Sequence, residues 1–367
     1  MFGRQRTDEQ DEVAQASGKT GDATTGTRSR GLLRRGLLFV GAFVAGYVLG
    51  RRSRKSSRST EMEHEREGAG TFEAVSETGE PTEVTEEPEA EAESEPPFTP
   101  PTTHGMPMLG LGTYQIDDYD ECVDTVTNAL EMGYRHIDTA QGYDNEEAVG
   151  DAIAESDVPR EDLFVATKVS PENLAYDHVI ETTEESLERL GLDYVDLLYV
   201  HWPTGEYDPM DTMDAFGELK EEDKIGEIGV SNFEPEQLEE AMESSDAPIF
   251  ANQIEMHPLL QQSELQQVCA EEDIEIVAYS PLARTEVESV EELQDIAEKH
   301  DTTPEQVSLA WLRAKDVTAI PKATTGKHLW ENWESLTVEL DEEDVAKIDD
   351  VEQTDRQVDP DVAPWNE

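Results

Sequence analysis

From residue 98 onward, short apolar runs alternate with longer stretches in which apolar residues recur every three or four positions. Eight runs have the length and β-branched content of buried strands: 109–114, 136–140, 164–168, 195–201, 225–231, 250–255, 274–280 and 317–321. Between them, 120–132, 177–190, 236–244 and 304–314 carry the one-sided apolar stripe of surface helices. Gly133 and Gly191 follow two of these stripes, where a helix is expected to end on a left-handed cap. Strand–helix alternation repeated eight times predicts an α/β domain, a parallel sheet closed into a (β/α)8 TIM barrel. A doubly wound nucleotide-binding sheet is the rival, and it needs G-x-G-x-x-G after its first strand. Gly110-Leu111-Gly112 is followed by Thr113, Tyr114 and Gln115, so the third glycine is missing.

Ahead of the barrel the pattern changes twice. Residues 36–50 form one uncharged apolar run, with Arg34 and Arg35 before it and Arg51, Arg52, Arg54 and Lys55 after it. A helix of this length covers roughly 22 Å of a roughly 30 Å hydrocarbon core, and flanking arginines that snorkel extend its reach. Ala42, Gly46 and Gly50 recur at intervals of four, which permits close helix–helix contact. The preferred reading is a hydrophobic helix that anchors the chain in a membrane. An export signal carrying the Arg34–Arg35 pair comes second and a buried soluble helix third. Basic residues on both flanks leave orientation open; the preferred placement of the domain that follows is cytoplasmic, and the whole protein is cytoplasmic if the segment does not insert. Residues 61–97, rich in Glu, Thr and Pro, read as a disordered acidic linker. The expected organisation is therefore 1–60 basic segment, 61–97 linker and 98–367 barrel, the barrel acting as a monomer.

Charge sharpens this division. The chain has 27 basic and 86 acidic residues, a net charge of −59. Residues 1–60 hold 12 basic and 5 acidic residues, 61–97 hold 1 and 14, and 98–367 hold 14 and 67. Acids spread so evenly over the barrel repel one another in dilute salt, and concentrated salt screens them. A salt-rich, halophilic cytosol is the expected setting, with an acidic face for a basic partner as the alternative. Nucleic acid is excluded as a partner, because phosphate contacts require a basic patch. Cys122 and Cys269 lie far apart with no C-x-x-C and no Cys/His cluster, which implies small core residues, no disulfide framework and no metal site.

Polar and ionisable residues end the apolar strands: Asp138, Lys168, His201, Ser231 with Asn232, Gln253, Tyr279 with Ser280, and Lys322 just past the last. Such residues are poor choices for packing and good ones for a site at the C-terminal rim of a barrel. The segments HIDTAQGYDNE, ATK, DLLYVHWP, GVSNF, NQIEMHP, AYSPL and IPKA follow one another in that order. Together they resemble the aldo-keto reductases over about residues 104 to 365, in particular the prokaryotic 2,5-diketogluconate and aldehyde reductases.

The resemblance implies reduction of a carbonyl by hydride from a nicotinamide cofactor, with Asp138, Tyr143, Lys168 and His201 as the catalytic residues. Tyr143 would donate the proton to the nascent alkoxide, and a lysine ammonium beside the phenol is expected to lower its pKa from about 10. Asp138 would keep Lys168 charged, and His201 would polarise the substrate oxygen. It further implies that Ser231, Asn232 and Gln253 hold the carboxamide and Tyr279 stacks on the nicotinamide. Gly112 and Thr113 would lie near the ring, Ser280 and Leu282 would face the pyrophosphate, and Lys322, Thr324, His328, Glu331 and Asn332 would surround the adenosine. Tyr114, His201 and Trp202 would meet the substrate. The sequence departs from the family at His328, where an arginine is usual, and at Ala323, a common serine, so NADPH is expected with NADH possible. Val169-Ser170-Pro171 replaces a segment that often supplies a tryptophan, and the chain after Val351 is short, which together suggest a small, open site for short aldehydes, ketoses or keto acids. Two other functions stay in view: a non-catalytic nicotinamide-binding sensor or scaffold, and a metal-dependent barrel hydrolase, for which only His201 and Asp138 would qualify as ligands.

Overall fold

A computed structural model of the chain describes residues 99–366. The apolar run 36–50 and the whole of the acidic stretch 61–97 fall outside them, and among the described residues no helix is long and apolar enough to cross a membrane.

Eight strands succeed one another in a single parallel sheet: β1 (Leu111–Gly112), β2 (His136–Asp138), β3 (Phe164–Val169), β4 (Val195–Val200), β5 (Ile225–Ser231), β6 (Ile249–Glu255), β7 (Glu275–Tyr279) and β8 (Thr318–Ala319). Spatial order equals chain order, as right-handed strand–helix–strand units demand. The sheet curls until its two edges meet. Gly110 N donates to Ala319 O (2.9 Å), Ala319 N to Met108 O (2.9 Å) and Gly112 N to Pro321 O (3.2 Å). The arrangement is that of the (β/α)8 barrels. The first and last strands are shorter than their apolar runs because this stretch of chain changes partners: Leu109 bridges to Ala319, whereas Leu111 pairs with Ile137.

Outside the sheet lie α1 (Tyr119–Met132), α2 (Glu146–Glu155), α3 (Tyr176–Leu190), α4 (Pro209–Glu221), α5 (Pro235–Ser244), α6 (Ser263–Glu271), α7 (Glu291–His300), α8 (Pro304–Ala314), α9 (Gly326–Glu334) and α10 (Glu342–Asp349). Their apolar stripes face the strands, as α1 does with Cys122, Val126, Ala129 and Leu130. Both cysteines are free and buried. Gly133 ends α1 at φ +120°, and a Cβ there would stand 2.8 Å from Trp333 Cζ2, so glycine is required twice over.

Inside the ring, Met106, Ala166, Leu197, Tyr199, Ala251, Val277 and Ile320 form a separate apolar cluster. Met106 comes from a hairpin pairing Thr102–Thr103 with Met106–Pro107. Gly229 on β5 admits the Tyr199 ring, which a Cβ would approach to 2.5 Å. Above this cluster the interior turns polar.

Candidate active site

The polar layer begins with the last residue of β2. Asp138 accepts from Lys168 Nζ at 2.5 Å and from Gln253 Nε2 at 2.8 Å, while Lys168 also donates to Thr139 O at 2.8 Å. The pair is removed from solvent, at 2% exposure for Asp138 and 0% for Lys168. A buried charge persists only when paired and hydrogen-bonded, and here both conditions are met.

Tyr143 sits in the turn after β2, half-buried, with the Lys168 ammonium 5.0 Å from its ring centroid and the His201 ring edge-on at 5.6 Å. Three side chains that sequence reading passed over hold this turn. Asn145 donates to Thr113 O (2.9 Å) and accepts from Thr139 Oγ1 (2.7 Å). Gln141 bonds Ser170 N and Asn173 Nδ2, both at 3.1 Å. Buried Glu146 accepts from Thr167 Oγ1 at 2.6 Å and Arg189 Nε at 2.8 Å. Their partners lie far away in the chain, so no local pattern marks them.

Electrostatics correct one expectation. Lys168 does not bring the Tyr143 phenol down. Burial pushes that pKa well above 10, with Asp138, Tyr114 and Tyr279 adding to the shift. The ammonium is spent on Asp138 and the Thr139 carbonyl, so the pair presents little net charge to the phenol. Burial also lowers Lys168, against the pull of Asp138. His201 falls to about 3, through burial and then Lys168, and is neutral at physiological pH.

A cavity of about 530 Å³ opens above these groups. Asp138, Tyr143, His201, Gly112, Tyr114, Trp202, Ser231, Asn232, Gln253, Tyr279, Ser280, Leu282 and Lys322 all line it. A second cavity of about 620 Å³ is lined by Lys322, His328, Glu331 and Asn332, together with Glu288, Glu305 and Lys327. The two share Leu282, Thr285 and Lys322. Two expected contacts stand apart from both: Thr113 is fully buried with its hydroxyl on Asp138 O (3.0 Å), and Thr324 lines neither. The amide-bearing cluster is internally bonded, with Tyr279 OH donating to Asn232 Oδ1 at 2.7 Å and Ser231 Oγ to Gln253 O at 2.9 Å. A polar cavity floor, the Tyr279 ring beside it and a second cavity reached across a shared neck suit an elongated dinucleotide. Among the described residues no group of three or more His, Cys, Asp or Glu is placed to hold a metal ion.

The site is less open than the short C-terminus suggests. Residues after α10 fold back over it. Buried Glu255 accepts from Gln357 N (2.6 Å) and Val358 N (2.8 Å), and Val358 reaches the cavity wall. Trp365 packs on Trp202 with centroids 5.6 Å apart, and Arg356 lies 3.9 Å over the Trp365 ring.

The sequence profile of the Aldo/keto reductase family matches residues 108–353. The chain belongs to this family. It is 41% identical over 254 residues to the 9,11-endoperoxide prostaglandin H2 reductase of Trypanosoma cruzi, covering 68% of this chain and 89% of that one. It is 42% identical over 266 residues to methylglyoxal reductase DkgB of Escherichia coli O157:H7, covering 71% and 99%. Among solved structures it is similar to MGS-M4, an aldo-keto reductase from a Medee basin deep-sea metagenome library, at 40% identity and a TM-score of 0.67, covering 70% of this chain and 94% of that one. This aldo/keto reductase is an oxidoreductase that reduces carbonyl groups, in a family that uses NAD(P)H.

Proposed function

We propose that the chain reduces small aldehydes, ketones, keto-sugars or vicinal dicarbonyls to alcohols, with Tyr143 as the proton donor. The convergence of Tyr143, His201 and Asp138 on one cavity floor, with Lys168 buried behind Asp138, carries this reading. When bound, a dihydronicotinamide supplies the hydride. Neutral His201 donates an N–H to the substrate oxygen and holds it near the Tyr143 hydroxyl. The phenol is protonated at working pH, so the proton is in place when the oxygen becomes basic. Lys168, fixed by Asp138 with its ammonium 5.0 Å from the ring centroid, offsets only a small part of what burial costs the phenolate left behind.

Ser231, Asn232, Gln253 and Tyr279 would hold the nicotinamide end, beside Gly112 and Thr113. Ser280 and Leu282 would hold the middle, and Lys322, Thr324, His328, Glu331 and Asn332 the adenosine end. NADPH is the proposed preference, and it is a small one: Lys322, Lys327 and His328 share the second cavity with Glu288, Glu305 and Glu331, and Lys327 pairs with Glu331 one turn along α9 at 3.0 Å. A cavity lined by Tyr114, Trp202 and Val358 supports short substrates, and the methylglyoxal activity named for the Escherichia coli relative supports small dicarbonyls.

Around the barrel we propose a membrane anchor at 36–50, an acidic tether at 61–97, a catalytic domain on the cytoplasmic side acting as a monomer, and a salt-rich cytosol, on the sequence pattern alone. The deciding experiment for the reaction is a reductase assay with methylglyoxal and both cofactors on the wild type and Tyr143→Phe. The variant is expected to lose about 10²–10⁴-fold in kcat while cofactor Kd holds; undiminished turnover would remove Tyr143 from the role.

A further inference from the structure

Asn145 stands at the N-cap position of α2, two residues after Tyr143, yet its side chain makes no cap. An asparagine there ordinarily turns its carboxamide oxygen to the helix N-terminus, which stabilises the helix. Here the carboxamide is buried and points inward instead. Its Oδ1 accepts from Thr139 Oγ1 at 2.7 Å, and its Nδ2 donates to Thr113 O at 2.9 Å and to Ile116 O at 3.4 Å. The cap is forgone for bonds to two other stretches of chain, and both stretches belong to the site.

Thr139 offers its carbonyl to Lys168 Nζ at 2.8 Å, so the residue whose hydroxyl anchors Asn145 also anchors the ammonium. Residues 113–116 carry Tyr114, whose ring centroid lies 5.1 Å from that of Tyr143. Tyr143 needs such support. Among the described residues nothing hydrogen-bonds its hydroxyl, so ring contacts and the turn that carries it decide where the phenol stands. That turn is one short 3-10 stretch, Gln141–Tyr143, which the chain leaves through Asp144 at φ +54°. The Asn145 carboxamide pins the chain immediately beyond.

We infer that Asn145 is a positioning residue for the proton transfer: its carboxamide fixes the Tyr143 hydroxyl relative to Lys168 and His201. The inference rests on Tyr143 being the proton donor, as proposed above. Proton transfer needs its heavy atoms within hydrogen-bond reach, and a displacement of about 1 Å costs on the order of a hundredfold in rate.

The test uses the full-length protein as wild type, Tyr143→Phe, Asn145→Asp and Thr139→Val. Each is assayed with methylglyoxal and NADPH at a temperature where circular dichroism shows it folded. Asn145→Asp keeps an acceptor for Thr139 but sets a carboxylate oxygen against the carbonyls of Thr113 and Ile116. Its kcat at about pH 7.5 is expected to fall roughly ten- to a hundredfold, with KM and cofactor Kd within about twofold of wild type. Protonation restores an O–H donor, and burial raises a carboxyl toward the assay range, so kcat should recover severalfold by about pH 5. The wild type stays level over that range. Its Asp138 is paired with Lys168 and its Glu146 with Arg189, Asp144 is exposed, and Tyr143 and His201 keep their neutral forms. Thr139→Val removes only the hydroxyl bond and should lower kcat roughly three- to tenfold. An Asn145→Asp kcat within about threefold of wild type overturns the inference. So does a loss carried by KM or cofactor Kd, or a loss in kcat that acid leaves unchanged. Where Asn145→Asp does not fold, Thr139→Val decides: a lower kcat at constant KM and Kd supports the inference, and an unaltered kcat overturns it. Undiminished turnover in Tyr143→Phe overturns the proton-donor reading itself, and the inference with it.

Discussion

Tyr143 and His201 are held in their neutral forms by the same cause, burial, acting with opposite sign on an acid and a base. Each form is the one reduction needs. A phenol must be protonated to donate, and its pKa lies above 10, so the reductive rate is expected to stay level from neutrality into the alkaline range and fall only above about pH 10. Alcohol oxidation needs the phenolate, so the reverse rate should climb over the same range. Profiles of kcat/KM in both directions check this; a reductive rate that halves near pH 7 would mean that Lys168 does lower the phenol. Asp138, Lys168 and His201 were legible in the sequence because a charged or titratable residue ending an apolar strand has no packing use. Asn145 and Glu146 were not, because their partners lie on other elements.

At the level of elements, all eight strands were legible from apolar runs bounded by turn residues; the run lengths overshot by two residues at β2 and β7 and by more at β1 and β8, where the ring closes. The C-terminal segment was misread for a physical reason. It has no periodic apolar pattern because it makes no α-helix or strand against the core, only a 3-10 turn at Pro364–Asn366; its order comes from two backbone N–H groups on the Glu255 carboxylate and from the contacts of Trp365 with Trp202 and Arg356. Trp365→Ala removes the ring packed against the cavity-lining Trp202. Stability should fall by about 0.5–1.5 kcal/mol, the worth of an aromatic pair at a partly exposed site. KM for methylglyoxal should rise while bulky aromatic aldehydes gain in kcat/KM. Kinetics on the two substrate classes, with a thermal melt, provide the check. Equal changes for small and bulky substrates would mean that Trp365 does not bound the substrate space.

For the molecule as a whole, the dominant quantity is the charge on residues 98–367, where 67 acids face 14 bases. Many of the available cations are already committed to surface pairs such as Lys299 with Asp341 and Asp344, Lys315 with Asp349 and Lys347 with Asp295. Exposed pairs of this kind contribute little, about 0–1 kcal/mol each, and leave most carboxylates uncompensated. Repulsion among those carboxylates acts over about 10 Å at 0.1 M salt and about 3 Å at 1 M, so adding salt removes a destabilising term while trimming only weak attractive ones. Tm is therefore expected to rise with KCl from 0.1 to about 1 M and then flatten, since screening is nearly complete once the Debye length falls below the spacing of neighbouring side chains. The Asp138–Lys168 pair, buried in the barrel, is shielded from that screening, so kcat at saturating cofactor should change far less than Tm. Melting curves and initial rates in the same KCl series test both halves. A Tm that is flat or falls below 1 M would show that the acidic surface is no burden in dilute solution, and the proposed salt-rich setting would lose its physical basis.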